Sequence, residues 1–244
     1  MKYRESVVFL AAVLLCVADW YFSNVETIIF ARASGFFSER DILLSLLSGS
    51  SDYNGAGELL VVYTFPVLLG MWYLTESEKP AFILRFGQRG RYKRKALENV
   101  LLGAVEFSAV HELVQIVFMN YWMEHELLVE THFLQYSFLA FVVHIILYVQ
   151  AGLLWHIIAD IFQSRLLGLF AVFGINFLQL HITKYTSLWL PGRDCVAAFS
   201  YITGIYTTGE FLIVLAKGIL VAVAFYAICQ MVFEKKDLMR DEKK

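Results

Sequence analysis

Residues 85–97 read RFGQRGRYKRKAL, which places six basic side chains, Arg85, Arg89, Arg91, Lys93, Arg94 and Lys95, between two long apolar runs. The flanking runs, 58–74 and 100–118, are each long enough to cross a bilayer core of roughly 30 Å. Lys and Arg are retained on the inner face of a membrane, so a cationic cluster joining two spans reads as a cytoplasmic loop. The chain is therefore expected to be polytopic, and this loop fixes its orientation.

Composition agrees. Of 244 residues, 59% are hydrophobic and 16% aromatic, and the mean hydropathy is +0.61, well above that of ordinary soluble domains. The formal net charge of −2 says little about partners, because the charges are segregated between the apolar runs. Cys16, Cys195 and Cys229 are far apart, which suggests free thiols rather than a disulfide framework or a metal-type cysteine pair. The basic, then apolar, N-terminus is similar to a signal peptide. The segment around Asp19 and Trp20 offers no small-residue cleavage site, so it is kept as a first span. The absence of Asn-x-Ser/Thr sequons fits a bacterial protein.

Apolar runs at 7–22, 58–74, 100–118, 138–158, 166–182 and 211–233 predict an all-α membrane protein, a single transmembrane domain over 1–244 with six transmembrane helices. With both ends inside, fifteen Lys and Arg lie on the inner side and four on the outer, which supports an N-in, C-in topology. Trp20 and Tyr21, Trp72 and Tyr73, Tyr121 and Trp122, and Trp155 fall near predicted span ends, where amphipathic rings prefer to sit.

Two outer segments, 23–57 and 183–210, are too apolar for free loops. In the first, Ser38 is an N-cap candidate, followed by Glu39 and Asp41 and then by leucines at helical spacing. This predicts a short amphipathic helix, either on the outer leaflet or packed on the bundle. The second, with Pro191 and Gly192, reads as an interfacial or re-entrant hairpin. Pro66 in the second span predicts a kink, as a hinge or as a structural proline.

Polar residues inside spans are the candidate pathway residues. Glu106, His111 and Glu112 form the costliest set, because charge at membrane depth must be paired, protonated or wet. A His beside a Glu suits proton relay or metal binding, but no second pair with ligand spacing lies on that helix; hydrogen bonding between helices, or a polar cavity, is the favoured role. His144, Gln150 and His156 in the fourth span, Asn176 in the fifth and Lys217 in the sixth complete the set. The turn at 120–135, with Glu124, His125, Glu126, Glu130 and His132, reads as a solvated acidic turn. No catalytic set and no metal site is assigned. P-loop and nucleic-acid-binding patterns are absent from the sequence.

Together, six spans, a long first outer segment, the basic inner loop with Ile83, Arg85, Arg89 and 92–95, a re-entrant segment before the last span and Lys236-Asp237 after it resemble ABC-2 type permeases. They look most like the compact subunits of bacterial peptide and bacteriocin exporters. That resemblance implies a non-enzymatic subunit in the plasma membrane, a coupling loop at 75–97 docking on a separate cytoplasmic ATPase that binds the ATP, and a homodimer or a second permease chain. The substrate implied is an amphipathic peptide or a lipid-like molecule. The coupling residues would be Phe82, Arg85, Phe86, Arg89, Arg91, Tyr92 and Arg94, with the aromatics as anchors and the arginines as polar contacts. Equally, the basic residues can hold the loop inside and bind anionic headgroups. Gly87 and Gly90 argue for a short or broken helix there. Two other functions are compatible with the pattern. Phe107 with His111 and His156 with Asp160 resemble the shorter motifs of CAAX-type intramembrane metalloproteases, although the paired-glutamate motif is missing. A membrane sensor or immunity protein would use the same spans without transport.

Overall fold

A computed structural model describes residues 2–48, 53–76, 89–186 and 188–241. It is 88% helical, with no strand among the described residues. Six helices are long and apolar enough to span a membrane: Ser6–Ser34, Glu58–Thr75, Arg94–Trp122, Phe133–Phe162, Arg165–Tyr185 and Thr208–Phe233. The protein is an all-α, multi-pass membrane protein, and an even number of crossings puts both ends on one side.

The first helix, α1 (Lys2–Ser34), runs well past the expected end at residue 22. Asn24, Glu26 and Thr27 interrupt the apolar run, but they do not interrupt the helix. Asn24 and Ile28 are both fully buried, so inward packing carries the chain through a stretch that hydropathy alone ends. Gly35, at φ +66°, then supplies the left-handed turn that stops it. One consequence corrects the sequence reading: Trp20 lies mid-helix, fully buried and stacked on Phe118 at 4.5 Å, not at the membrane boundary.

The short helix α2 (Glu39–Leu47) starts at the expected Ser38, and Ser38 with Asp41 forms a complete capping box. Ile42, Leu43, Leu46 and Leu47 are all buried, so α2 packs on the bundle instead of floating in the leaflet. Arg32 clamps the arrangement with a bidentate pair to Glu39 and a 2.7 Å bond to the Trp122 carbonyl.

The second span begins as a π-helical turn (Glu58–Val62) and continues as α3 (Thr64–Glu76). The expected disturbance at Pro66 is therefore displaced toward the outer end. Pro66 lies in the first turn of α3, where a missing N–H costs least, and the π-turn absorbs the change of register. From the fifth span Asn176 donates to the Leu60 carbonyl at 2.9 Å and to Thr64 Oγ1 at 3.2 Å, so the irregular backbone finds its partner on a neighbouring helix.

The third span lies within α4 (Arg89–Trp122), a single helix of 34 residues and about 51 Å long at roughly 1.5 Å per residue. Gly90 sits inside its first turn, so the helix begins within the basic loop instead of breaking there. After the short α5 (His125–Glu130) comes α6 (Phe133–Phe162), the central post of the fold. It touches α3, α4, α5, the fifth span α7 (Arg165–Tyr185), the small α8 (Ala197–Ile202) and the last span α9 (Thr208–Asp241). Close approach is built in. A side chain at Gly152 would meet Val100 at 2.6 Å and Met71 at 2.9 Å, and one at Gly218 would meet Ile146 at 2.8 Å. Gln150 donates to the Gly218 carbonyl at 2.7 Å, which fastens α9 to α6.

The second outer segment does turn back onto the bundle, as a 3-10 turn (Pro191–Val196) leading into α8. Gly192, Cys195, Ala197 and Ala198 are buried, and the Gly192 N–H donates to Gln179 at 3.1 Å. None of the three cysteines forms a disulfide, and all are buried. α9 is the least embedded span: Leu212, Ile213, Ile219, Leu220 and Val223 all face outward.

A candidate polar centre inside the bundle

Of the predicted pathway residues, the structure brings together His111, Glu112 and His144. His111 and Glu112 are neighbours on α4, and His144 faces them from α6. One oxygen of the Glu112 carboxylate lies beside both rings, with His111 Nδ1 at 3.3 Å and His144 Nδ1 at 3.1 Å. All three are buried, at 0%, 4% and 2% exposure. Each offers a ligand atom, and these atoms lie within 4.8 Å of one another. The two imidazoles meet edge to face with centroids 5.1 Å apart.

Aromatic side chains hold His111 in place. Tyr53 stacks on its ring at 4.3 Å, and Tyr63 meets it edge-on at 5.2 Å. Tyr53 is doubly engaged: its hydroxyl donates to the His111 carbonyl at 2.8 Å, and its own carbonyl lies 3.3 Å from His111 Nε2. Burial pushes the Tyr53 phenol well above its usual range, so it stays neutral and donates. The Tyr63 hydroxyl in turn donates to Asp19 on α1, and Ser23 donates to the same carboxylate at 3.3 Å. Four segments thus converge: α1, the stretch from Tyr53 to Tyr63, α4 and α6.

The remaining candidates lie elsewhere. Glu106 is half-buried and five residues before His111, which turns it about 140° around the helix. Gln150 binds α9, and Asn176 serves the π-turn. Lys217 is exposed, with its ammonium 5.4 Å from the Trp189 ring, and Trp189 also donates to Asp194 at 2.9 Å. His156 packs on Trp155; it follows His144 by twelve residues, about 18 Å along the same helix, so the two histidines of the protease-like motifs do not share a centre. In the outer turn, Glu130 pairs with Arg40 at 2.8 Å.

Among the coupling residues, Phe82, Arg85 and Phe86 lie outside the described residues. Arg89, Arg91 and Tyr92 fall in the first turns of α4. Arg94 is exposed and pairs with Glu98 at 3.1 Å.

Asp19, Tyr53 and Tyr63 escaped the sequence reading. A first span ending at residue 22 puts Asp19 at the interface, where a carboxylate is unremarkable. A span reaching Ser34 puts it at depth, where it demands a partner. Tyr53 sits in a segment that reads as a loop, and no periodicity marks it as core.

The fold and this centre define a class, a six-span helical membrane protein with a buried His–Glu–His cluster. Compared with protein-family models, curated proteins and solved structures, the chain matches none.

Proposed function

We propose that the protein is the membrane-spanning subunit of an ATP-driven transporter, with a separate cytoplasmic ATPase as its motor and an amphipathic peptide or lipid-like molecule as its substrate. The observation that carries this reading is α4. It rises without interruption from Arg89, inside the basic loop, to Trp122, and carries His111 and Glu112 on the way. A rigid rod of about 51 Å transmits displacement at its cytoplasmic end to the polar centre, as ATPase coupling requires. ATP is bound by the partner, and the host membrane is a bacterial plasma membrane. A second copy or a related permease chain completes the pathway. Docking uses Phe82, Arg85, Phe86, Arg89, Arg91, Tyr92 and Arg94, as aromatic anchors with arginine contacts.

The test is affinity purification of the full chain from its native membrane, followed by identification of co-purifying P-loop ATPases. Wild-type chain is expected to bring down one such ATPase in stoichiometric amount. The combined Arg85→Ala, Phe86→Ala and Arg89→Ala variant is expected to lose it while keeping its six-span insertion. An ATPase never recovered, or retained unchanged by the variant, refutes the coupling reading.

A further inference from the structure

We propose that His111, Glu112 and His144 bind one divalent transition-metal ion of the Zn²⁺ class. The proposal goes beyond the transport reading and does not depend on it. Donor chemistry, donor spacing and the surrounding hydrogen bonds each support it.

Imidazole and carboxylate are ordinary ligands for such ions. With metal–nitrogen and metal–oxygen bonds near 2.1 Å, two ligand atoms in a tetrahedral shell are about 3.3–3.4 Å apart. The two ring nitrogens stand 3.3 and 3.1 Å from Glu112 Oε1, close to that separation. The three residues come from two adjacent helices, so the site needs no rearrangement of the fold.

Hydrogen bonding alone leaves the cluster unsatisfied. His111 Nε2 faces the Tyr53 carbonyl and Nδ1 faces Glu112 Oε1, each at 3.3 Å and each an acceptor, so a neutral ring can donate to only one of them. With the proton on Nε2, Nδ1 turns a lone pair toward Glu112 Oε1, the state in which it can ligate a metal. His144 Nδ1 approaches the same oxygen without hydrogen-bond alignment, and Glu112 Oε2 is buried with no hydrogen-bond partner. With both Nδ1 atoms unprotonated, they and the carboxylate oxygen present three acceptors to one another, an arrangement that a cation between them satisfies. A proton on His111 relieves one of these contacts. A metal ion relieves all of them.

The surroundings match those of a metal ligand. A ligating histidine usually donates its second N–H to a carbonyl or carboxylate, which fixes the tautomer, and the Tyr53 carbonyl occupies that position for His111. Tyr53 stacks on the ring and fixes its plane. Three protein ligands leave a fourth position for water or another small donor, as in open zinc sites.

The experiment uses the full chain in detergent, stripped with a chelator and titrated with Zn²⁺ alone, with bound metal read by elemental analysis. One equivalent per chain is expected for wild type, together with a rise in Tm on adding Zn²⁺. Glu112→Gln and His144→Gln are expected to lose both, whereas Glu106→Gln and His156→Gln keep both. Co²⁺ in place of Zn²⁺ reads the ligand shell in wild type without any variant, through the intense visible bands of a four-coordinate nitrogen–oxygen site. Stripped wild type that takes up no stoichiometric Zn²⁺ and gives only the spectrum of hydrated Co²⁺ overturns the proposal and assigns a protonated His–Glu cluster instead. Equal binding by Glu112→Gln and His144→Gln overturns it as well. None of these measurements involves the ATPase, so failure of the metal site and failure of the coupling reading are told apart.

Discussion

Replacing Asn176 with Leu tests whether the π-turn of the second span depends on its neighbour. Asn176 is buried at 4% exposure and donates to the Leu60 carbonyl at 2.9 Å and to Thr64 Oγ1 at 3.2 Å, while its own oxygen accepts from Gln179 at 3.2 Å. Leu nearly conserves the volume, so packing loss is small and the lost bonds dominate. Polar contacts between membrane helices are typically worth about 0.6 kcal/mol and reach about 1.7 kcal/mol. Two donated bonds to one irregular turn therefore predict a loss of about 1–2 kcal/mol. The assay is reversible unfolding in mixed micelles by denaturing-detergent titration. Thr64→Val, made alone and with Asn176→Leu, closes a double-mutant cycle, and the pair is expected to be sub-additive because the two residues share a bond. A change below about 0.5 kcal/mol for Asn176→Leu, the range of ordinary surface substitutions, refutes the role given to Asn176. Strict additivity with Thr64→Val refutes the direct contact.

Three further outcomes are expected. Gly152→Val forces a branched side chain toward Val100 and Met71 and should cost about 1–3 kcal/mol by overpacking, measured in the same unfolding assay; Gly174→Ala, where the added carbon meets nothing within 4 Å, should be tolerated. The Asp41 carboxyl is held below its usual range by the Ser38 hydroxyl and backbone N–H, so its stabilisation is present above the unfolded-state value and fades as pH falls through the depressed one. Helicity or stability followed on acidification in wild type and Asp41→Asn should show that dependence in wild type alone. Asp194 runs the other way: partial burial raises its pKa, against the lowering effects of the Trp189 bond and of Lys217 and Arg193. Folding therefore binds a proton there, and stability falls as pH rises from the ordinary carboxylate value through the raised one. Asp194→Asn should abolish that fall in pH-dependent thermal melts.

The number of spans, their order and their class were legible because apolar length is a bulk property that survives local exceptions. Their ends were not. The first span continues past Asn24 because that residue is buried by neighbours invisible to a hydropathy window, and Asp19 moved from interface to interior with it. All three residues of the cluster could be named from sequence as polar groups costly at depth, His111 and Glu112 as an adjacent pair and His144 separately in the next span. That His144 completes the cluster, and that Gln150, Asn176 and Lys217 stay away from it, depends on how α4, α6 and α7 rotate against one another. Spacing within one helix carries no information about that rotation, which is why no metal set was assigned from sequence. Ser38 as an N-cap was readable because capping is local chemistry.

The central position of α6 bears on how the protein is made. α1, α3 and α4 leave the ribosome before it, and α4 carries His111 and Glu112 into the bilayer before His144 has been synthesised. Until residue 144 arrives, the carboxylate has only His111 beside it and is expected to draw on water or a proton. Chains truncated before the fourth span carry an incomplete polar centre and are expected to be degraded faster than the full chain.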